Sequence, residues 1–141
     1  MAMAIGRLAK AADVKIPTIR FYEQIGLLPP PDRTAADRRV YSEAAVRRLA
    51  FIKHCRQLGF SIDAIRSLLD LSDHPDRPCD EANILAEQQL AEVEVKIAQL
   101  EVLRAELSRI ASASCAGRAA DCRVIEALYD HRSCEHHGLP A

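Results

Sequence analysis

The sequence predicts a mainly α-helical chain in two parts, a block of short helices and then one long helix with a cysteine-bearing end. Three observations predict it. Turn residues punctuate the first 71 residues, and apolar residues recur at helical spacing between them. From residue 80 to about residue 110 there is no Gly or Pro, and Ala, Leu, Glu and Gln dominate. Charge divides at the same place: residues 1–71 hold 12 Lys+Arg against 7 Asp+Glu, a balance of +5, whereas residues 72–141 hold 7 against 13, a balance of −6. The organisation read from these features is a first domain over 1–71, a linker over 72–79, a long helix over 80–111, and a loop, short helix and tail over 112–141.

Each element has its own signal. Ile5, Leu8, Ala9 and Ala12 give a helix of about two turns, interrupted at Asp13 and Val14. A second short helix carries Pro17 in its first turn, where a missing N–H costs little, and includes Ile19 and Phe21. It ends near Gly26, before Pro29-Pro30-Pro31. Two brief helices joined by a tight turn form a helix-turn-helix candidate, a rhythm that small bundles also show. Asp32 to Tyr41 is polar and arginine-rich, with the β-prone pair Val40-Tyr41 at its end, and reads as a hairpin or wing. Ser42 is a candidate cap for a helix through Val46, Leu49, Ile52 and Leu58 that stops at Gly59. Ser61 caps the next, with Ile62, Ile65, Leu68 and Leu69 on one face.

The long helix raises a burial problem. Leu90, Val93, Ile97, Leu100 and Leu107 follow an alternation of three and four, broken at Arg104. About 31 residues of helix span roughly 46 Å, too far to bury such a stripe against one small domain. The simplest remedy is a coiled coil with a second copy of the chain.

Composition excludes several function classes. The 141 residues are 49% apolar and 28% charged, as in ordinary globular proteins. Aromatics are only 4%, without Trp, which disfavours a base-stacking platform for single strands. No apolar run approaches the ~20 residues of a membrane span, and no secretory signal is evident. The expected compartment is a reducing cytoplasm, where five cysteines point to metal or redox chemistry before disulfides. Catalysis finds no support: Gly-rich phosphate loops, nucleophile elbows and His-Glu-x-x-His patterns are all missing.

Three cysteines stand out by position. Cys115 and Cys122 flank a six-residue loop containing Gly117, so both sulfurs can converge on one atom. Cys79 lies at the other end of the long helix. In an antiparallel dimer, Cys79 of one chain meets Cys115 and Cys122 of its partner, making two equivalent three-thiolate sites. Such sites suit soft or borderline cations, and charge favours a divalent ion: it leaves one net negative charge, a monovalent ion two. Cys134, His136 and His137 in the tail are possible extra ligands, or a tail that binds metal weakly. A redox-switchable Cys115–Cys122 disulfide is the competing reading. Cys55, in an apolar-periodic helix, reads as an inert core residue, and His54 and His74 as surface residues.

The run Thr18-Ile19-Arg20-Phe21-Tyr22-Glu23, followed by Ile25-Gly26-Leu27-Leu28-Pro29-Pro30, resembles the recognition helix and turn of MerR-type transcription regulators. The likeness continues through Arg39-Val40-Tyr41-Ser42, Leu58-Gly59-Phe60-Ser61 and Ile65-Arg66-Ser67-Leu68-Leu69. It departs at Arg38, where the family usually has an aromatic residue. The resemblance implies a winged helix-turn-helix DNA-binding domain at each end of a homodimer joined by an antiparallel coiled coil. It implies a palindromic operator in double-stranded promoter DNA, an underwound and bent spacer as output, and RNA polymerase as the beneficiary. On it Thr18, Arg20 and Tyr22 face the major groove and its phosphates, while Lys15, Arg33, Arg39 and Tyr41 grip the backbone. Within the family, Cys79 in Arg-Pro-Cys-Asp-Glu-Ala-Asn and the six-residue gap are similar to the sensors for cadmium, lead and zinc. Copper(I) sensors typically have Ser at the place of Cys79, and mercury sensors a longer loop. The Cys134-Glu135-His136-His137 ending is instead similar to copper sensors. The implied role is a metal-responsive activator of efflux or detoxification genes, with a copper(I), mercury(II) or thiol-redox regulator as the alternative.

Overall fold

The structure, a computed structural model, describes residues 2–113 and 117–130. Its elements are α1 (Ile5–Ala12), α2 (Ile16–Gln24), β1 (Asp32–Arg33), β2 (Arg39–Val40), α3 (Glu43–Gln57), α4 (Ile62–Ser72), α5 (Asp80–Ser112), a 3-10 turn (Ala119–Asp121) and α6 (Arg123–Tyr129). The chain divides into two compact units, Met1–Ala86 and Glu87–Ala141. The fold is mainly α: a winged helix-turn-helix followed by a long helix.

The first unit is organised around an aliphatic core. Leu8 of α1, Ile19 of α2, Leu27 and Leu28 of the following turn, Leu49 and Ile52 of α3, and Ile65 of α4 are fully buried. Each comes from a different turn of an amphipathic helix or from the turn between helices, so the core fixes how the short elements sit together. Ile19 and Tyr22, three residues apart on α2, face inward. Phe21 between them does not share that face and is 48% exposed.

Three helices end in one way. After α2, Gly26 takes φ +81°, its N–H donates to Glu23 O at 3.2 Å, and Leu27 N–H donates to Tyr22 O at 2.9 Å. After α3, Gly59 takes φ +88°, with Gly59 N–H to Arg56 O and Phe60 N–H to Cys55 O, both at 3.0 Å. This paired pattern is a Schellman motif, and glycine satisfies its left-handed position without a Cβ penalty. After α1 the same position is held by Asp13 at φ 53°. Its carboxylate and carbonyl both receive Lys53 Nζ of α3, at 2.7 and 2.8 Å, which offsets the backbone cost and ties the α1 turn to α3.

The N-terminal caps differ from each other. Ser61 Oγ accepts from Ala64 N–H at 3.1 Å, as its position ahead of α4 predicts. Ser42 occupies the N-cap position of α3, but its side chain makes no capping bond. Its cap role is therefore limited to the backbone turn, where Ala45 N–H reaches Ser42 O at 3.0 Å.

The wing is a minimal antiparallel hairpin in which Asp32 faces Val40 and Arg33 faces Arg39. Its turn closes through Thr34 N–H to Arg38 O and Asp37 N–H to Thr34 O, both at 2.9 Å, with Asp37 left-handed at φ 62°. That is the three-residue hairpin in which the last loop residue turns the strand back. At the root of the wing, Met3 and Tyr41 exchange two backbone hydrogen bonds of 2.8 Å, adding a short bridge from the N-terminal segment.

In the second unit, α6 begins at Arg123 and Ile110 is buried. The helix α5 extends to Ser112, one residue past the expected boundary, and Ile110 is the one buried residue along it. Leu90, Ile97, Leu100 and Leu107 each remain about half exposed or more. No helix among the described residues is long and apolar enough to cross a membrane.

Gly26→Ala should cost about 1–2 kcal/mol of unfolding free energy, since the new Cβ is forced into the left-handed region. It would stand 3.4 Å from Arg66 Nη1. Urea denaturation of the variant against the parent checks the sign and size.

Candidate nucleic-acid interface and thiol positions

The helix α2 and the wing together present one basic concavity. Arg20, Glu23 and Gln24 of α2, Pro30 and Pro31 of the connecting turn, and Arg33 and Arg39 of the two strands line an open surface hollow of about 610 Å³. Lys15, at the N-cap of α2, and Arg20 are exposed, and Thr18 is half-buried. The wing arginines are 48% and 42% exposed at Arg33 and Arg39. Chemically this is a set of guanidinium donors with geometry suited to phosphate oxygens.

Two expected members of that surface lie elsewhere. Tyr22 and Tyr41 are buried in the core cluster rather than presented outward. The reason is apolar: the α2 face that carries Ile19 also carries Tyr22, and Tyr41 follows the wing strand into the interior. Tyr41 donates its hydroxyl hydrogen bond to Glu23 Oε1, and Arg39 Nη1 lies 3.5 Å from Glu23 Oε2. In the sequence Glu23 stands out only as the end of the Thr18–Glu23 run, because a lone carboxylate carries no pattern; only the fold brings strand and helix together around it.

Behind the concavity, Arg48 of α3 binds the structure that holds α2 in place. Its Nε donates to Leu27 O at 2.7 Å, and its Nη1 reaches both Asp73 carboxylate oxygens, at 3.0 and 3.2 Å. One guanidinium thus joins the turn after α2 to the end of α4. The adjoining linker is laced by Arg77, which pairs with Asp70 at 2.7 Å and Glu81 at 3.8 Å. The Arg77 guanidinium holds the Asp70 carboxyl below its usual range.

Two of the described thiols fall at helix starts. Cys79 is exposed, and its carbonyl accepts from Asn83 N–H at 3.1 Å, which places it at the N-cap of α5. Cys122 is half-buried at the N-cap of α6, with Glu126 N–H on its carbonyl at 3.1 Å. Cys115, Cys134, His136 and His137 lie outside the described residues. Among the described residues of one chain, no three His, Cys, Asp or Glu side chains converge as a metal site. Cys55 is buried, and burial pushes its thiol pKa up, in keeping with an inert core residue. His54 and His74 are exposed; His74 Nδ1 lies 2.8 Å from Asp70 O.

Burial first, and then the neighbouring Glu23 carboxylate, push the Tyr41 hydroxyl up from 10.0 to about 12. The protonated phenol is the form the fold favours, so its contribution to stability is complete below pH 10 and is lost as pH rises towards 12. Tyr41→Phe should lower stability by about 1–2 kcal/mol at neutral pH. The gap to the parent should close between pH 10 and 12, as followed by denaturation at each pH.

Comparison with known proteins agrees with this architecture. The family model described as "MerR HTH family regulatory protein" matches residues 3–72, and "MerR, DNA binding" matches residues 46–110. The HTH-type transcriptional regulator ZntR of Escherichia coli is 40% identical over 127 residues, covering 88% of this chain and 90% of that protein. The mercuric resistance operon regulatory protein of Pseudomonas fluorescens is 41% identical over 139 residues, covering 98% and 95%. Among solved structures, a transcription regulator from Ralstonia metallidurans in complex with lead(II) superposes with a TM-score of 0.76 at 38% identity, covering 89% of this chain and 98% of that one. With its helix-turn-helix, wing and long helix matched along most of its length, the chain belongs to the MerR family of DNA-binding transcriptional regulators, and is not an enzyme.

Proposed function

We propose that this regulator works as a homodimer on palindromic promoter DNA and activates a metal efflux or detoxification promoter when a soft divalent cation, cadmium, lead or zinc, binds. The observation that carries the reading is the placement of the thiols. Cys79 opens α5, while Cys122 follows its far end, so 33 residues of helix, about 50 Å, stand between them. A site that uses both needs two chains running in opposite directions. The exposed apolar residues Leu90, Val93, Ile97, Leu100 and Leu107 supply the seam for that pairing.

The donor set fits the cation. Cys79 from one protomer, with Cys115 and Cys122 from the other, would hold it, and Cys134, His136 or His137 are further candidate ligands. Both described thiols of the set sit at helix N-caps, where backbone N–H groups favour negative charge. Three thiolates match the softness of these ions and leave a single net negative charge about a divalent one. The lead(II) complex of the Ralstonia regulator and the name of the Pseudomonas relative support metal as the signal. The latter also keeps mercury(II) as a second reading.

On this reading Arg20 and Thr18 meet the major groove, and Lys15, Arg33 and Arg39 hold the phosphates that set register. Tyr22 and Tyr41 act from beneath, by packing. Activation consists of favouring the protein conformer that bends and underwinds the promoter spacer for RNA polymerase, so the DNA deformation carries the output. Cys79→Ser should abolish cadmium-, lead- and zinc-induced run-off transcription while leaving operator binding as in the parent. Undiminished induction would refute the ligand assignment, and titration of the reduced dimer with mercury(II) and copper(I) in the same assay decides between the metals.

A further inference from the structure

The hairpin register sets Arg33 directly opposite Arg39. Like charges across a strand pair destabilise it, so each guanidinium needs a counter-charge before any DNA is present. Each has one, but of different kinds. Arg33 Nη1 lies 3.5 Å from Asp37, whose carboxylate is 84% exposed at the wing tip and hence well screened. Arg39 Nη1 lies 3.5 Å from Glu23, whose side chain is only 12% exposed. Glu23 is also held from behind by the hydroxyl of buried Tyr41.

From this asymmetry we propose that Glu23 is an intramolecular stand-in for a DNA phosphate, a positioning residue that neutralises Arg39 and so restrains binding to DNA of any sequence. The carboxylate is held by Tyr41 and little exposed, whereas Arg39, 42% exposed, is the partner that faces solvent. Glu23 is also the sole acidic residue lining the concavity of Arg20, Gln24, Arg33 and Arg39, so a phosphate entering there meets its charge. The cost applies to any complex in which Arg39 meets a phosphate, whatever the sequence, and it keeps weak the non-specific binding in which backbone contacts supply essentially all of the affinity.

The test uses the full chain and a fluorescein-labelled duplex of random sequence, with anisotropy followed across a potassium chloride series. Glu23→Gln keeps the shape and removes the charge. It should bind roughly five- to tenfold tighter at low salt, and log K against log[salt] should steepen by about one, as one more effective cation meets the phosphates. In the double variant Glu23→Gln/Arg39→Gln the added slope should vanish. Glu23→Ala serves if the amide perturbs folding, and should steepen the slope equally. An unchanged slope in both charge-removing variants, weaker binding by both at unchanged thermal stability, or a steeper slope that survives removal of Arg39, would overturn the proposal.

Discussion

The constraint that governs this chain is a helix that cannot bury its own apolar side chains. The helix α5 runs for 33 residues and buries one of them, Ile110, while Leu90, Ile97, Leu100 and Leu107 stay about half exposed or more. Exposed apolar residues are ordinary singly; a row at three- and four-residue spacing along one helix is an unpartnered face. The homodimer proposed above answers that face and the separated thiols by one arrangement. The short-helix unit has no such debt, because Leu8, Ile19, Leu49, Ile52 and Ile65 close its interior by themselves.

Within that unit, charged contacts at the ends of the elements supplement the aliphatic core. Lys53 holds the turn after α1, Arg48 holds the turn after α2 and the end of α4, and Arg77 laces the linker that leads to Cys79. Arg48 and Arg77 thus stand on either side of the α4 terminus. Asp70 and Asp73 lie within one helical turn of each other, and Arg48 connects the second of these to the turn that follows α2.

Much of the fold was legible because its punctuation is chemical. Pro17, Gly26, Gly59 and Ser61 mark helix starts and stops through local backbone requirements, and the structure uses them so. The wing was legible from its composition, and α5 from its lack of breakers. Ser42 shows the limit of that method: the residue type and position were right, yet the hydroxyl makes no cap bond. The two tyrosines show another. Sequence likeness placed Tyr22 and Tyr41 against DNA, whereas burial is decided by which helix face and strand side turn inward, and both rings went inside. Phe21 is the converse, an apolar residue that lies off its helix's inner face and is about half exposed. Glu23 could not be found beforehand, since its importance depends on contacts from residues 16 and 18 positions away. The metal ligands stand differently again: Cys79 and Cys122 lie at helix starts, and the remaining candidates fall outside the described residues.

The double bond between Met3 and Tyr41 has a mechanical consequence. A wing with two residues per strand is weak by itself, but its base is stapled to the segment that leads directly into α1. The wing is therefore held at its base by the segment that enters α1, and α1 is joined in turn to α3 through Asp13 and Lys53.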